Sequence, residues 1–257
     1  MNLKEIEKII NNLLDTFVES GNLCLELRNK GLKKTIKDDK TPVTNADIEV
    51  NNLLINKIKN LTPGIKIVSE ETLDNKENVN IKDFWLIDPI DGTHDYINNR
   101  DEFTVNAGLI INKKPVAGII NAPAKKRLFY SWGSSNSFEI NNGLKKKLNC
   151  EKKNKNNEIN AVSYSNNIKP IIADIYKKYN ITNYTKMKSS LKFCVIASGD
   201  YDFYAAEPRA SEWDIAAGHA ILENAGGIVT DFEGNSISYG KKDFKNPSII
   251  LKRKENL

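Results

Sequence analysis

Trp85-Leu-Ile-Asp88-Pro-Ile-Asp91-Gly-Thr93 is the stretch on which both fold and chemistry turn. Its apolar start, Phe84 to Ile87, reads as a short buried strand. That strand delivers Asp88 at its carboxyl end, and Pro89 stiffens the turn beyond it. Asp91 follows three residues later, so both carboxylates can face one point. Gly92 lacks a Cβ and lets the backbone approach a ligand closely. Thr93 then opens a short helical turn whose free N–H groups suit a phosphate. Hard oxygen donors, an exposed carbonyl at Ile90 and helix-start amides describe a site for Mg²⁺ and phosphate. Taken alone, the stretch reads equally well as an Asp-Pro turn followed by a helix cap.

Further acidic groups on either side decide between those readings. Glu70-Glu71 closes a second apolar run, Ile65 to Ser69. Trp213-Asp214 opens a helix rich in small residues, among them Ala216, Ala217, Gly218 and Ala220. Separately these are a solvated acidic pair and a helix cap. With Asp47 they make six carboxylates that can converge: Asp47, Glu70, Glu71, Asp88, Asp91 and Asp214. Two charges ~4 Å apart repel by about 4 kcal/mol at an effective dielectric of ~20. A bound divalent cation removes that objection.

Around these motifs the periodicity lays out a mixed α/β chain. Leu3, Ile6, Ile10, Leu13 and Phe17 recur at helical spacing in a helix from Leu3 to about Lys30. Lys37 to Thr44 is polar and extended before Pro42, and Thr44 or Asn45 caps a second helix ended by Pro63-Gly64. Phe103 to Ile111, Val116 to Asn121 and Arg127 to Trp132 read as consecutive strands, the first two joined by a hairpin. Residues 141–158 are almost wholly Lys, Asn and Glu and read as a surface linker. It divides the chain into an α+β domain over 1–145, with most of the acidic motifs, and an α/β domain over 146–257. In the second, strands Ala161 to Tyr164, Phe203 to Ala206 and Ile228 to Asp231 alternate with helices Ile168 to Lys178, Leu191 to Ser198 and Trp213 to Ala225.

Composition removes several function classes. The 257 residues are 40% hydrophobic, too apolar for a disordered chain, and no apolar run approaches the ~18 residues of a membrane span. Three widely spaced cysteines exclude a disulfide framework and a CxxC metal knuckle. The net charge of +5 comes with 33 lysines, five arginines and 34 asparagines. That is background drift rather than a patch for nucleic acid, which favours arginine. His94 reads either as lining the mouth of the site or as an exposed polar residue, His219 as a satisfied histidine in a packed helix, and Cys194 as core. Gly234 to Lys241 lacks the spacing and the Ser/Thr of a phosphate loop and reads as a turn. Lys145-Lys146-Lys147 reads as solvated linker.

Together, Asp88-Pro-Ile-Asp91-Gly-Thr93, Ser69-Glu-Glu71 and Trp213-Asp-Ile-Ala-Ala-Gly218 resemble the lithium-sensitive, magnesium-dependent phosphatases of the inositol monophosphatase superfamily. The finer resemblance is to 3'(2'),5'-bisphosphate nucleotidases of sulfate assimilation. It rests on Thr41-Pro-Val-Thr-Asn-Ala-Asp47, Glu102-Phe-Thr-Val-Asn106, Ser189-Ser-Leu-Lys-Phe-Cys194 and Glu212-Trp-Asp-Ile-Ala-Ala-Gly-His219. The resemblance implies a layered α/β/α/β/α sandwich of the inositol monophosphatase and fructose-1,6-bisphosphatase type. It also implies two to three Mg²⁺ ions. Glu70, Asp88 and the Ile90 carbonyl would hold one, Asp88, Asp91 and Asp214 a second, and Glu70 would assist a third.

Thr93, oriented by Asp47, would align a metal-bound water for in-line attack, with no covalent phosphoenzyme. Gly92 and Thr93 amides would hold the phosphate, and Ser189, Lys192 and Asp214 would contact the rest of a small phosphorylated substrate. The cysteine usage fits a reducing cytoplasm, with peripheral association with the inner membrane as the other option, and the oligomer stays open. Two features depart from the nucleotidase pattern. Only Ala210 and Ser211 separate Pro208-Arg209 from Glu212, where nucleotidases carry several more residues. Glu207 stands where inositol-type enzymes carry a sugar-contacting acid. The readings are therefore a phosphatase of adenosine 3',5'-bisphosphate, a phosphatase of inositol or sugar phosphates, and a polyanion-binding protein with a vestigial site.

Overall fold

The computed structural model describes residues 1–37, 41–72, 81–150 and 159–254. Helix α1 (Leu3–Lys30) opens on a capping box in which Asn2 and Glu5 satisfy each other's backbone amides, and it buries Ile6, Ile10, Leu13, Phe17 and Cys24. A short antiparallel hairpin, β1 (Lys34–Ile36) and β2 (Pro42–Thr44), leads into α2 (Asn45–Leu61). Thr44 caps α2, as one of the two expected residues.

The next part of the chain builds a seven-stranded sheet in sequence order. Its strands are β3 (Lys66–Ser69), β4 (Phe84–Asp91), β5 (Thr104–Ile111), β6 (Lys114–Ala122), β7 (Arg127–Trp132), β8 (Ser137–Asn141) and β9 (Leu144–Lys147). The short helix α3 (Thr93–Ile97) follows β4 directly. Among the described residues of this sheet only the β3–β4 pairing is parallel. Successive residues of β4 face opposite sides, as a pleated strand requires. Trp85 and Ile87 pack with α1 and α2, while Phe84 and Leu86 enter a second core on the other face.

That second core joins the two parts of the molecule. A five-stranded sheet is assembled from β10 (Ala161–Ser163), β11 (Tyr184–Lys186), β12 (Phe203–Ala206), β13 (Ile228–Thr230) and β14 (Ile249–Lys252), in the order β11-β10-β12-β14-β13. Helix α4 (Pro170–Lys178) covers its outer face through Ile172 and Tyr176, against Phe203 and Ala205. Tyr204 and Ala206 point the other way and meet α5 (Leu191–Ala197) and α6 (Glu212–Asn224). The layers therefore run α1/α2, large sheet, α5/α6, small sheet, α4, the α/β/α/β/α sandwich expected from the sequence.

Helix α6 lies close on the large sheet because two glycines face it. Gly108 and Gly118 are paired across β5 and β6. A Cβ on Gly118 would stand 2.3 Å from the Ala217 carbonyl oxygen, and one on Gly108 2.7 Å from Ala216 Cβ. Bare backbone against small side chains admits the helix whose first turn carries Asp214.

Two expectations need correction. The lysine run is not linker, since Lys145, Lys146 and Lys147 form the edge strand β9, paired to Ile140, Glu139 and Phe138 of β8. An exposed edge buries no alternating apolar face, and lysines there oppose pairing with another chain. The expected boundary at 145/146 thus falls inside a strand, and residues 151–158 of the expected linker lie outside the described residues. Second, the β4 strand does not stop at Asp88. Its pairing with β5 shifts register between Asp88 and Asp91, where Pro89 supplies no N–H, and resumes at Asp91 opposite Thr104.

Candidate active site

The irregularity in β4 is where the acidic motifs meet. Glu70 follows β3, beside β4, and its amide donates to the Ile87 carbonyl at 3.1 Å. Asp214 sits at the third position of α6 and accepts from the Ser211 amide at 2.7 Å, so it caps the helix and also faces the site. One oxygen from each of Glu70, Asp88 and Asp214 lies within 4.8 Å of the others. Asp91 stands beside this triad, its Oδ2 accepting the Ser190 amide. Thr104 and Asn106 of β5 fix Ser190 through its hydroxyl, at 2.8 and 2.9 Å. Glu102 accepts the Lys188 amide at 3.1 Å. The Glu102–Asn106 segment thereby anchors the Ser189–Ser190 turn against the acidic cluster.

Asp47 enters from α2, where its Oδ2 accepts the Thr44 amide at 2.7 Å and hydroxyl at 2.6 Å. Its Oδ1 lies 3.4 Å from the Thr93 hydroxyl, which is 2.9 Å from the Ile90 carbonyl. A hydroxyl has one proton, so the nearer carbonyl is its acceptor here. That carbonyl keeps a second lone pair for another partner. Gly92 has φ 93° and a Cβ there would stand 2.8 Å from the Glu102 carbonyl, so both conformation and space call for glycine.

Electrostatics fit a hard divalent cation. Burial, then the charges of Glu70, Asp91 and Asp214, push Asp88 well above the ordinary carboxylate range. Burial and Asp91 push Asp214 up to about 7. Burial raises Glu70 to about 7 against the opposing pull of Lys37. Asp88 Oδ1 is buried without a hydrogen-bond partner among the described residues, an arrangement that is costly unless a cation compensates it. Grouped carboxylate oxygens with one orphaned acceptor are the donor set Mg²⁺ takes.

This cluster has a consequence for pH. Glu70 and Asp214 have folded-state values near 7, above their ordinary 4.5 and 3.8, so the fold favours their neutral forms. Their stabilising contribution is complete below about pH 4 and is lost as pH rises through about 7. Chelator-treated protein is expected to melt at progressively lower temperature between about pH 5 and 8, and saturating Mg²⁺ to flatten that slope. A melting temperature that rises across this window without metal contradicts the assignment.

A cleft of about 260 Å³ holds the triad together with Ile90, Asp91, Gly92, Thr93, Ser189 and Arg209. It shares Asp91, Ser189, Arg209 and Asp214 with a neighbouring cavity of about 110 Å³ lined by Lys192, Tyr204 and Glu207. Lys192 is buried, and its ammonium donates to the Ser189 carbonyl. Burial lowers it to about 8, with Asp91 pulling the other way. The residues singled out from the sequence for metal, phosphate or substrate thus line these two spaces, except Asp47 behind Thr93 and Glu71, which pairs with Lys37.

Four neighbours were given no role in the site from the sequence. Lys37 reaches Glu71 at 2.6 Å and Glu70 at 3.3 Å. Tyr164, Lys188 and Arg209 line the cleft. Arg209 was visible only as half of the short Pro208-Arg209 link. Glu207 pairs with Lys169 at 2.7 Å. His94 is exposed at the rim, whereas buried His219 contacts the Tyr239 hydroxyl at 2.9 Å and Glu223 at 3.1 Å. The three cysteines are buried.

Comparison with known proteins agrees with this geometry. The profile described as the inositol monophosphatase family matches residues 6–257. The chain is 33% identical over 235 residues to the 3'(2'),5'-bisphosphate nucleotidase CysQ of Buchnera aphidicola, covering 90% of this chain and 88% of that one. It is 32% identical over 222 residues to CysQ of Salmonella typhimurium, covering 86% and 89%. Among solved structures, CysQ from Bacteroides thetaiotaomicron, a bacterial member of the inositol monophosphatase family, superposes with a TM-score of 0.80. It is 29% identical and is matched over 99% of this chain and 100% of that one.

Proposed function

Since the chain belongs to the inositol monophosphatase family, we propose that it is a magnesium-dependent 3'(2'),5'-bisphosphate nucleotidase. It removes the 3'-phosphate of adenosine 3',5'-bisphosphate, giving AMP and inorganic phosphate. The observation that carries this reading is the shared wall of the two spaces. A carboxylate triad fit for metal opens onto a second cavity bearing Lys192 and Arg209, cations suited to a second phosphate. The names of the CysQ relatives support the same substrate.

Glu70, Asp88, the Ile90 carbonyl, Asp91 and Asp214 would hold the ions. Bound Mg²⁺ supplies charge stabilisation of the phosphoryl oxygens and activates water at neutral pH. Gly92 and Thr93 amides hold the phosphate at the start of α3. Thr93 orients the attacking water, with the Asp47 carboxylate 3.4 Å behind its hydroxyl as the alternative acceptor and Glu70 assisting from the triad. Attack in line with the ribose oxygen breaks the P–O bond without a covalent enzyme intermediate. Lithium sensitivity, a place in sulfate assimilation and a cytoplasmic location belong to the same proposal. Among the described residues no helix is long and apolar enough to cross a membrane.

A second reading, an inositol or sugar monophosphate as substrate, draws on Glu207 in the wall of the smaller cavity. A substrate panel separates the two. A charge-assisted bond to a second phosphate is worth ~1.5–3 kcal/mol, or roughly ten- to a hundred-fold in kcat/KM. Adenosine 3',5'-bisphosphate is expected to exceed adenosine 3'-monophosphate and inositol 1-phosphate by that factor, and Lys192→Ala to remove most of the difference. Equal turnover of inositol 1-phosphate by the native protein replaces the first reading with the second.

A further inference from the structure

Tyr164, just past the end of β10, stands where three spaces meet. It lines the metal cleft, the smaller cavity and an adjoining groove of about 380 Å³. Arg209 is the one other residue common to all three. The groove runs from Tyr164 past Ile168, Lys169 and Pro208, and its lining includes none of the triad carboxylates. A substrate that extends out of the metal cleft toward this groove passes these two side chains.

Two cations lie against the Tyr164 ring. The Arg209 guanidinium carbon is 3.4 Å from the ring centroid and the Lys188 ammonium 3.6 Å. Lys192 stands farther off, 5.8 Å from this ring and 5.3 Å from Tyr204. Among the described residues neither Lys188 nor Arg209 forms a salt bridge. Two like charges from separate segments, Lys188 before the Ser189 turn and Arg209 before α6, would repel one another if nothing held them. The negative face of an aromatic ring offsets that repulsion and fixes both without neutralising either. What results is a preorganised pair of charges that an acidic side chain has not already consumed.

We propose that Tyr164 is a positioning residue for substrate specificity. It holds Lys188 and Arg209 as a paired cationic receptor for an anionic group carried on the substrate apart from the scissile phosphate. This inference rests on the bisphosphate reading above and assigns the selection to a residue outside the set proposed to hold the ions. The two cations also hold the Tyr164 phenol below its ordinary range against the effect of burial. An occupant with a second phosphate supplies an anion for this pair, which a monophosphate seated on the triad does not carry.

The test compares Tyr164→Ala and Tyr164→Phe with the native holoenzyme, on adenosine 3',5'-bisphosphate and on adenosine 3'-monophosphate. Tyr164→Ala is expected to lower the ratio of kcat/KM for bisphosphate over monophosphate by about tenfold. The loss is expected in the KM for bisphosphate rather than in its kcat. Tyr164→Phe keeps the ring and is expected to restore most of the ratio. A general folding defect instead lowers both substrates together and leaves the ratio unmoved. If the native protein shows no bisphosphate preference, the functional reading itself fails. If it shows the preference and Tyr164→Ala retains it, the role given to Tyr164 is overturned while that reading stands.

Discussion

Asp88→Asn is expected to lower phosphate release by about 10³-fold, the scale of removing one preorganised electrostatic contact or more from a transition state. The same substitution is expected to raise the melting temperature of the metal-free protein near pH 8. Both follow from one arrangement. Asp88 is buried at the centre of the cluster, with the charges of Glu70, Asp91, Asp214 and Asp47 all acting on it. At the 4.8 Å limit of the triad, each like-charge pair costs about 3 kcal/mol at an effective dielectric of ~20. Solvent reaches Glu70, so the full sum is not realised. Asparagine keeps the shape, removes a charge and finds carboxylate acceptors for its amide. Kinetics with saturating Mg²⁺ and thermal melts with chelator check the two halves separately. Loss of activity through unfolding, with a lowered melting temperature, contradicts this account of the cluster.

The second large effect belongs to Thr93 and Asp47. Loss of a positioned proton-transfer or water-orienting group typically costs ~10²–10⁴-fold in rate. Thr93→Val and Asp47→Asn are each expected to fall in that range in kcat, and the double variant to be little worse than either, because the two act as one unit. Thr93→Val is the cleaner probe, since Asp47 also accepts from the Thr44 amide and hydroxyl at the start of α2. Weakening that cap costs about 1 kcal/mol of stability on its own. Strictly additive losses in kcat show that the pair does not cooperate.

The parts of this site that sequence reveals are those whose neighbours are close along the chain. Asp88, Ile90, Asp91, Gly92 and Thr93 fall within one strand–turn–helix unit, and their spacing alone brings them together. Glu70 and Asp214 were legible because a strand end and a helix start aim them at the same layer. Lys37 was not, because its pairing with Glu70 and Glu71 depends on how the β1–β2 hairpin folds over the cleft. Tyr164 was not, because nothing near it in sequence announces Lys188 or Arg209. Strand β9 escaped because its pairing is carried by backbone hydrogen bonds while its side chains stay in water. The extension of β4 through Pro89 escaped because proline signals a break, and the ladder instead shifts and resumes.

Phosphate release from adenosine 3',5'-bisphosphate by chelator-stripped protein, measured before and after adding Mg²⁺, bears most directly on the central claim that the Glu70–Asp88–Asp214 cluster is the metal centre of a phosphomonoesterase. The account predicts no release from the stripped protein and full recovery with Mg²⁺, lost again in Asp88→Asn. Undiminished release from the stripped protein, or none from the native protein with Mg²⁺ restored, contradicts it.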